Sequence, residues 1–475
     1  MIKTSAIFLF LNYCLGKKVD MSMVVAKIDW RQLYNFASRQ ALLGFCFDGI
    51  ERLTKEFSEE LKQNPMGRDL LMTWMGAAQQ ILRQNMKVNA VAGKLFSMLR
   101  EDGFRCCILK GQGNALMYPN PYSRTPGDID VWVNASREDI TDYAKTHFEI
   151  GDDIRFHHLE TSFDGVPVEL HFFPGIMNNP IYNARLQKWF KRNADLQCSN
   201  VVSLPDGIGE IAIPTTAFNV VYQLTHLYHH FFDEGIGMRQ IIDYFLVVND
   251  FSKNVFLDTD FSNHPVNFSN HPVPLSKEGS TFSPNPSSSG SGDVTAPSRC
   301  SEPLRSKVGG ASKPSPDCAG WDRRDAIGAS KPSPNCAGWD RLSIEGDNSV
   351  GSTSVTSSAS TALVVVQREL KYLGLWKFAG AVMYVLHEAL GLAEEKMIVP
   401  MDEKRGKLLL TEILNGGNFG KHFTKYGHFT KQGMAKKYFL KIWRNMHFVR
   451  YYPAEALSEP IFRTWHFFWR MKNKK

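Results

Sequence analysis

Between Phe104 and Phe173 the apolar residues leave the three-and-four rhythm of a helix for the alternation of short strands, and helical rhythm holds on both sides. "FRCCILKG" predicts a short strand and "QGNALMYP" a short helix stopped at Pro119. "DIDVWV" predicts a second strand, and "SREDITDYAKTHF" a helix with Ser136 as its N-cap. "FHHLETSFDGVPVELHFFP" predicts two strands that turn back at Asp164-Gly165, a pair suited to the positive φ of a tight hairpin. A chain with this order folds as α+β: a small mixed β-sheet flanked by N-terminal helices and a C-terminal helical domain.

The flanking helices read clearly. "DWRQLYNFASRQALLGFCFDGIERLTKEF" and "LLMTWMGAAQQILRQNMKVNAVAGKLFSMLREDG" precede the sheet, the second closed by Gly103. "TTAFNVVYQLTHLYHHFFDEGIGMRQIIDYFLVVND" follows it, and the pattern resumes at "TALVVVQRELKYLGLWKFAGAVMYVLHEALGL". Between these, residues 251–360 are rich in Ser, Pro, Gly and Asn and poor in large aliphatics, so they bury too little surface to offset backbone ordering. "FSNHPV" occurs twice there, and "GASKPSPDCAGWDR" recurs as "GASKPSPNCAGWDR". Two copies are too few for a solenoid. The segment reads as a duplicated, disordered, low-complexity insertion, with a recognition motif built on "CAGWDR" as the alternative. Lengthening a loop from about ten to about 110 residues costs only ~2 kcal/mol, so one helical domain tolerates it.

The expected divisions are 1–22, 23–103 (N-terminal helical region), 104–200 (sheet core), 201–250 and 361–475 (two parts of the helical domain), and 251–360 (insertion). Residues 1–22 contain "AIFLFLNYCLG", an apolar run too short to span a membrane and lacking a small-residue cleavage site. They read as disordered or as a mis-assigned start, with Met21 or Met23 the true one. No transmembrane segment is expected. The eight cysteines form no CxxC pair and no metal-type spacing, which points to a reduced, cytoplasmic chain. A net charge of +7 over 475 residues does not by itself require a nucleic-acid partner.

The strand "DIDVWV" raises a chemical question. Ile129, Val131 and Val133 share one face, while Asp128 and Asp130 share the other. Two ionised carboxylates about 5 Å apart repel by roughly 3 kcal/mol at an effective dielectric of about 20. Protonation, water or a cation must relieve that repulsion, and hard oxygen ligands suit Mg²⁺ or Mn²⁺. Upstream, Lys110-Gly111 lies between a strand and a short helix, an arrangement suited to phosphate. Downstream, "VPVELHF" puts Glu169 and His171 on one strand face, where Glu169 is placed to complete a metal site.

Taken together, "LKG…MYPNPYSRTPGDIDVWV…VELHFFP…LTHLYHH" resembles the DNA polymerase β-type nucleotidyltransferase superfamily. More narrowly it is similar to a bacterial family of uncharacterised nucleotidyltransferases, over about residues 25–250 and again from about 361 to 470. The resemblance implies a nucleotidyltransferase core in which Asp128 and Asp130 hold the metals and Glu169 is the third ligand. Gly111 would face the triphosphate, and Lys110 and Arg124 would neutralise phosphate charge. The implied reaction moves a nucleoside monophosphate from an NTP to an acceptor (a small molecule, a protein or an RNA) with release of pyrophosphate. Gln112 departs from the superfamily pattern, which has Gly or Ser there; an amide also bonds phosphate, at a different reach.

Two other classes stay open: a degenerate protein of the same fold that binds a nucleotide without turnover, and a metal-dependent phosphodiesterase. The latter needs His157, His158 and His171 near Asp130. His171, His226 and His230 are expected to support the site or line the acceptor cleft; His226 and His230 are four apart and share a helix face. The tail, 404–475, carries sixteen Lys or Arg against three Glu, interleaved with aromatics. It reads as a solvated helical region, with contact to an anionic surface as the alternative.

Overall fold

The computed structural model describes residues 4–257, 356–422 and 434–473. Most of the expected insertion, with both duplicated segments, lies outside the described residues.

Five strands form one sheet: β1 (Cys106–Leu109), β2 (Ile129–Val133), β3 (Glu149–Ile154), β4 (His158–Phe163) and β5 (Val166–His171), in the order β1-β2-β5-β4-β3. β2 and β5 run parallel and the other neighbours antiparallel, so the sheet is mixed as expected. The β4–β5 turn uses Asp164 at φ 49° and Gly165 at φ 66°, the left-handed pair of a tight hairpin. A small hairpin, β6 (Val201–Ser203) and β7 (Glu210–Ala212), stands apart from the main sheet.

The helices are α1 (Thr4–Cys14), α2 (Ser22–Val25), α3 (Trp30–Arg39), α4 (Leu43–Glu56), α5 (Ser58–Gln63) and α6 (Arg68–Glu101) before the sheet. Within it come α7 (Gly111–Ala115) and α8 (Arg137–His147), and after it α9 (Pro180–Ser199), α10 (Thr216–Asp233) and α11 (Met238–Leu257). Then follow α12 (Thr356–Tyr372), α13 (Trp376–Leu390), α14 (Glu403–Gly416), α15 (Met434–Met446) and α16 (Pro453–Asn473). Ser136 caps α8, its side chain accepting from the Asp139 amide. α9 was not expected from its weak periodicity; Asn179 caps it and Pro180 occupies its first turn.

The alternation in the strands decides which face meets which layer. Ile129, Val131, Val133, Val168 and Leu170 share a core with Val88, Leu95, Phe96 and Leu99 of α6. Each such side chain contributes about 1.5–3 kcal/mol by leaving water. On the other face Cys107, Leu109 and Trp132 join a second core, where the Trp132 ring stacks 6.1 Å from Phe218 of α10. That second core also holds α1, α3, α4, α11, α13 and α14. The N-terminal and C-terminal helical regions, read from the sequence as separate parts, share this core. α11 and α12 run inward to Leu257 and from Thr356, past the boundaries expected at 250 and 361, and pack against each other.

The start of the chain departs most from expectation. Instead of disorder, residues 4–14 form α1, with Phe10, Leu11, Tyr13 and Cys14 buried. An apolar run of this length suits a buried core helix. Asn12 donates to the Ala389 carbonyl at 3.1 Å, tying α1 to α13. Gly49 of α4 lets α1 approach closely: a Cβ there would stand 2.3 Å from Cys14 Sγ. No described helix is long and apolar enough to cross a membrane.

Candidate active site

Register builds the site. Asp130 of β2 pairs with Glu169 of β5, which pairs in turn with Glu160 of β4; one row on, Trp132 pairs with His171 and His171 with His158. Neighbouring strands lie about 4.8 Å apart, so these rows bring acids and imidazoles together on one sheet face. Asp128 stands just before β2 and is exposed, while Asp130 is buried. A cavity of about 540 Å³ opens beside them, lined by Asp128, Glu149, Glu160 and Glu169 among others.

Two cations hold the buried acids. Lys110 Nζ lies 2.9 Å from Asp130 Oδ1 and 3.3 Å from His226 Nε2. His171 Nε2 lies 3.0 Å from Asp130 Oδ1 and 3.2 Å from Glu169 Oε2, and its Nδ1 donates to the Phe173 carbonyl at 3.2 Å. A ring that donates from both nitrogens is an imidazolium. Burial opposes that charge, but the bonds to Asp130 and Glu169 prevail and raise His171 to about 9. Burial likewise works to raise Asp130, and Lys110 and His171 outweigh it, holding the carboxyl below its ordinary value. Glu169 is lowered in the same way, with His171 countering burial. Asp128 is pushed the other way, up to about 7, by the charge of Asp130 and then by crowding of its carboxyl against neighbouring atoms, although the residue as a whole is open to solvent. In the absence of an ion, the repulsion expected between the two aspartates is relieved by pairing Asp130 with Lys110 and His171, and it favours the protonated form of Asp128.

The residues expected to meet the nucleotide lie differently. Lys110 adopts φ 52°, ψ −126° at the turn from β1 into α7, a conformation costing about 1–3 kcal/mol outside glycine. Its amine faces Asp130. Gly111 and Gln112 are buried with the rest of α7, and Gln112 Oε1 has no hydrogen-bond partner. Asn114 and Gln223 exchange amide hydrogen bonds of 3.0 and 2.7 Å and fix α7 to α10.

Arg124, expected at a phosphate, forms a buried two-pronged pair with Asp243: Nε to Oδ1 at 2.9 Å and Nη2 to Oδ2 at 2.8 Å. Tyr118 Oη donates to the same carboxylate at 2.7 Å. A buried carboxylate needs such partners, so the guanidinium is committed to Asp243. No local signal announces a partner 119 residues away.

His226 accepts from Lys110, and its ring centre lies 4.3 Å from that of His230. Burial, then His229, lower His230 to about 3. His158 and Glu160 were not assigned to the catalytic set from the sequence, although their alternation in "HLETSF" gives them one face. His158 Nδ1 lies 3.4 Å from Glu169 Oε2. Burial, then the charge of His171, lower His158 to about 3.

Asp130, Glu169 and His171 offer ligand atoms within 4.8 Å of one another. A divalent ion would bind these acids by displacing Lys110 and His171 from Asp130 and Glu169, with Asp128 at the edge of the site as a further ligand once it loses its proton.

Residues 26–261 match a family described as uncharacterised nucleotidyltransferases. The chain belongs to that family. Asp128, Asp130 and Glu169 all fall inside the matched span. No curated protein matches the chain. Among solved structures it is similar to the crystal structure of an antigenic nucleotidyltransferase-like protein from Paracoccidioides brasiliensis, at 18% identity, over 34% of this chain and 75% of that one, with a TM-score of 0.24.

Proposed function

We propose that the protein transfers a nucleotidyl group from an NTP to an acceptor hydroxyl, with Asp128, Asp130 and Glu169 holding Mg²⁺ or Mn²⁺. The observation that carries this reading is the alignment of Asp130 with Glu169 across parallel strands, beside an acid-lined cavity, in a chain of nucleotidyltransferase family membership. When bound, the ion neutralises charge at the phosphate and acidifies the acceptor hydroxyl. The residues do the rest: Lys110 and His171 keep Asp130 and Glu169 ionised, which is the form a cation requires. The described cavity lining is rich in carboxylates, with Arg155 paired to Glu160 at 3.3 Å, so a triphosphate is better received together with its divalent cations than bare.

Pyrophosphate release from each NTP with Mg²⁺ and a cell extract tests the reading. Label transferred to an acceptor, and lost in Asp130→Asn, supports it. Nucleotide binding without release would make the chain a binding protein of the same fold, a reading that the burial of Gly111 and Gln112 favours. A phosphodiesterase is favoured by the 3.0 Å approach of His171 to Asp130, and hydrolysis of a phosphodiester without acceptor labelling would select it. The described cysteines are free thiols, which supports a reducing, cytoplasmic setting. For the tail, the alternative of contact with an anionic surface gains support from α16: Leu457, Ile461, Phe468 and Met471 are exposed, while Glu455 and Glu459 are buried. That leaves an apolar surface with Lys472 exposed at its end, suited to an anionic lipid interface.

A further inference from the structure

Beside the carboxylates lies a group of imidazoles that nucleotidyl transfer does not use. His157, His158 and His171 each offer a ligand nitrogen, and these nitrogens lie within 4.8 Å of one another. The hairpin creates the group: His158 opposes His171 across β4 and β5, and the His157 carbonyl accepts the amides of Phe172 and Phe173.

An independent feature points to a ligand. His158 is only 6% exposed, and neither ring nitrogen makes a well-formed hydrogen bond: Nδ1 lies 3.4 Å from Glu169 Oε2 and Nε2 3.8 Å from Glu160 Oε1. His229 of α10 lies against the group, its ring centre 6.4 Å from that of His157, and its buried Nδ1 lacks a partner. Buried side-chain nitrogens are paired in the large majority of cases, so a cluster of poorly paired ones calls for a partner, and three converging imidazoles suit an ion.

Imidazole nitrogens are borderline-soft donors, poor for Mg²⁺ and suited to Zn²⁺ and its neighbours. Tetrahedral zinc with bonds of about 2.0–2.1 Å places its ligand atoms about 3.4 Å apart, so the nitrogens, now within 4.8 Å of one another, would draw in around the ion. We infer that His157, His158 and His171 form a second cation site, for Zn²⁺ or a similar transition ion, with His229 or water at the fourth position. His171 also touches Asp130 and Glu169, so to ligate it releases to solvent the proton it shares with them, and the zinc charge replaces that of the imidazolium beside the two carboxylates. The site does not depend on the nucleotidyl-transfer reading, since a chain without that activity would still take the ion.

The test is titration of metal-stripped full-length protein with Zn²⁺ alone, in excess Mg²⁺, followed by X-ray absorption on the loaded protein. One ion per chain with imidazole-dominated scattering is expected. His157→Gln and His158→Gln should each weaken binding on the order of 100-fold, since loss of outer-shell partners alone costs 10–100-fold. Asp128→Asn should hold zinc as the parent does. Absence of zinc binding, an oxygen-dominated shell, or histidine variants that bind as tightly as the parent would each overturn the assignment. Should the variants fail to fold, the absorption spectrum of the parent decides. Pyrophosphate release is read separately, so failure here leaves the transfer reading to its own assay.

Discussion

Asp128 makes the metal reading quantitative. The charge of Asp130 and then crowding by neighbouring atoms push its carboxyl from 3.8 up to about 7, so a proton holds the position that a cation would take. The sign follows directly. Below about pH 7 the proton occupies Asp128 and competes with the ion; above it the carboxylate is free. A single site titrating at about 7 is about one-eleventh ionised at about pH 6 and about ten-elevenths ionised at about pH 8, so Mg²⁺ affinity should rise roughly tenfold over that window. Isothermal titration of Mg²⁺ into stripped protein at several pH values measures it, with Mn²⁺ followed by electron paramagnetic resonance as a second readout. Asp128→Asn removes the competing proton and the ligand together, so its affinity should be lower and nearly flat across the same window. Parent affinity that is flat, or an Asp128→Asn protein that keeps the tenfold slope, would refute the placement of Asp128 at the ion.

His171 predicts a stability effect in metal-free protein. Its value, raised from 6.5 to about 9, gives stabilisation that is full below about pH 6.5 and lost as pH rises through about 9, roughly 3 kcal/mol in all. Urea unfolding in chelator should show that decline in the parent and lose it in His171→Gln. Arg124→Met strands Asp243 in the core and should cost about 3–5 kcal/mol, while Asp243→Leu added to it should recover much of the loss; additive effects in that cycle would count against a coupled pair. For the tail, the parent should sediment with phosphatidylglycerol vesicles and not with phosphatidylcholine ones. Ile461→Glu with Phe468→Glu should abolish the binding; retention by the double variant would remove α16 from the contact.

Much of the local structure was legible because its causes lie within a few residues. Asp164-Gly165 supplies a left-handed pair and a hairpin forms; Ser136 supplies an oxygen and α8 begins. The alternation in "DIDVWV" set Ile129, Val131 and Val133 into the core against α6. The same local rules missed α9, whose periodicity is weak, and α1, whose short apolar run was measured against membranes and leader peptides instead of a protein core.

The sequence by itself determined the strands β1, β2, β4 and β5 and most of the helices around them, though not α1, α9, β3 or the β6–β7 hairpin, and that two acids stand together before and within β2. Tertiary structure alone decided what those acids meet. Lys110 turned out to neutralise Asp130, Arg124 went to Asp243, and Glu160 and His158 entered the site through strand register. The physical reason is range: propensity, capping and alternation act over a few bonds, whereas a buried charge takes whatever partner the packed chain brings within about 3–4 Å, however distant in sequence.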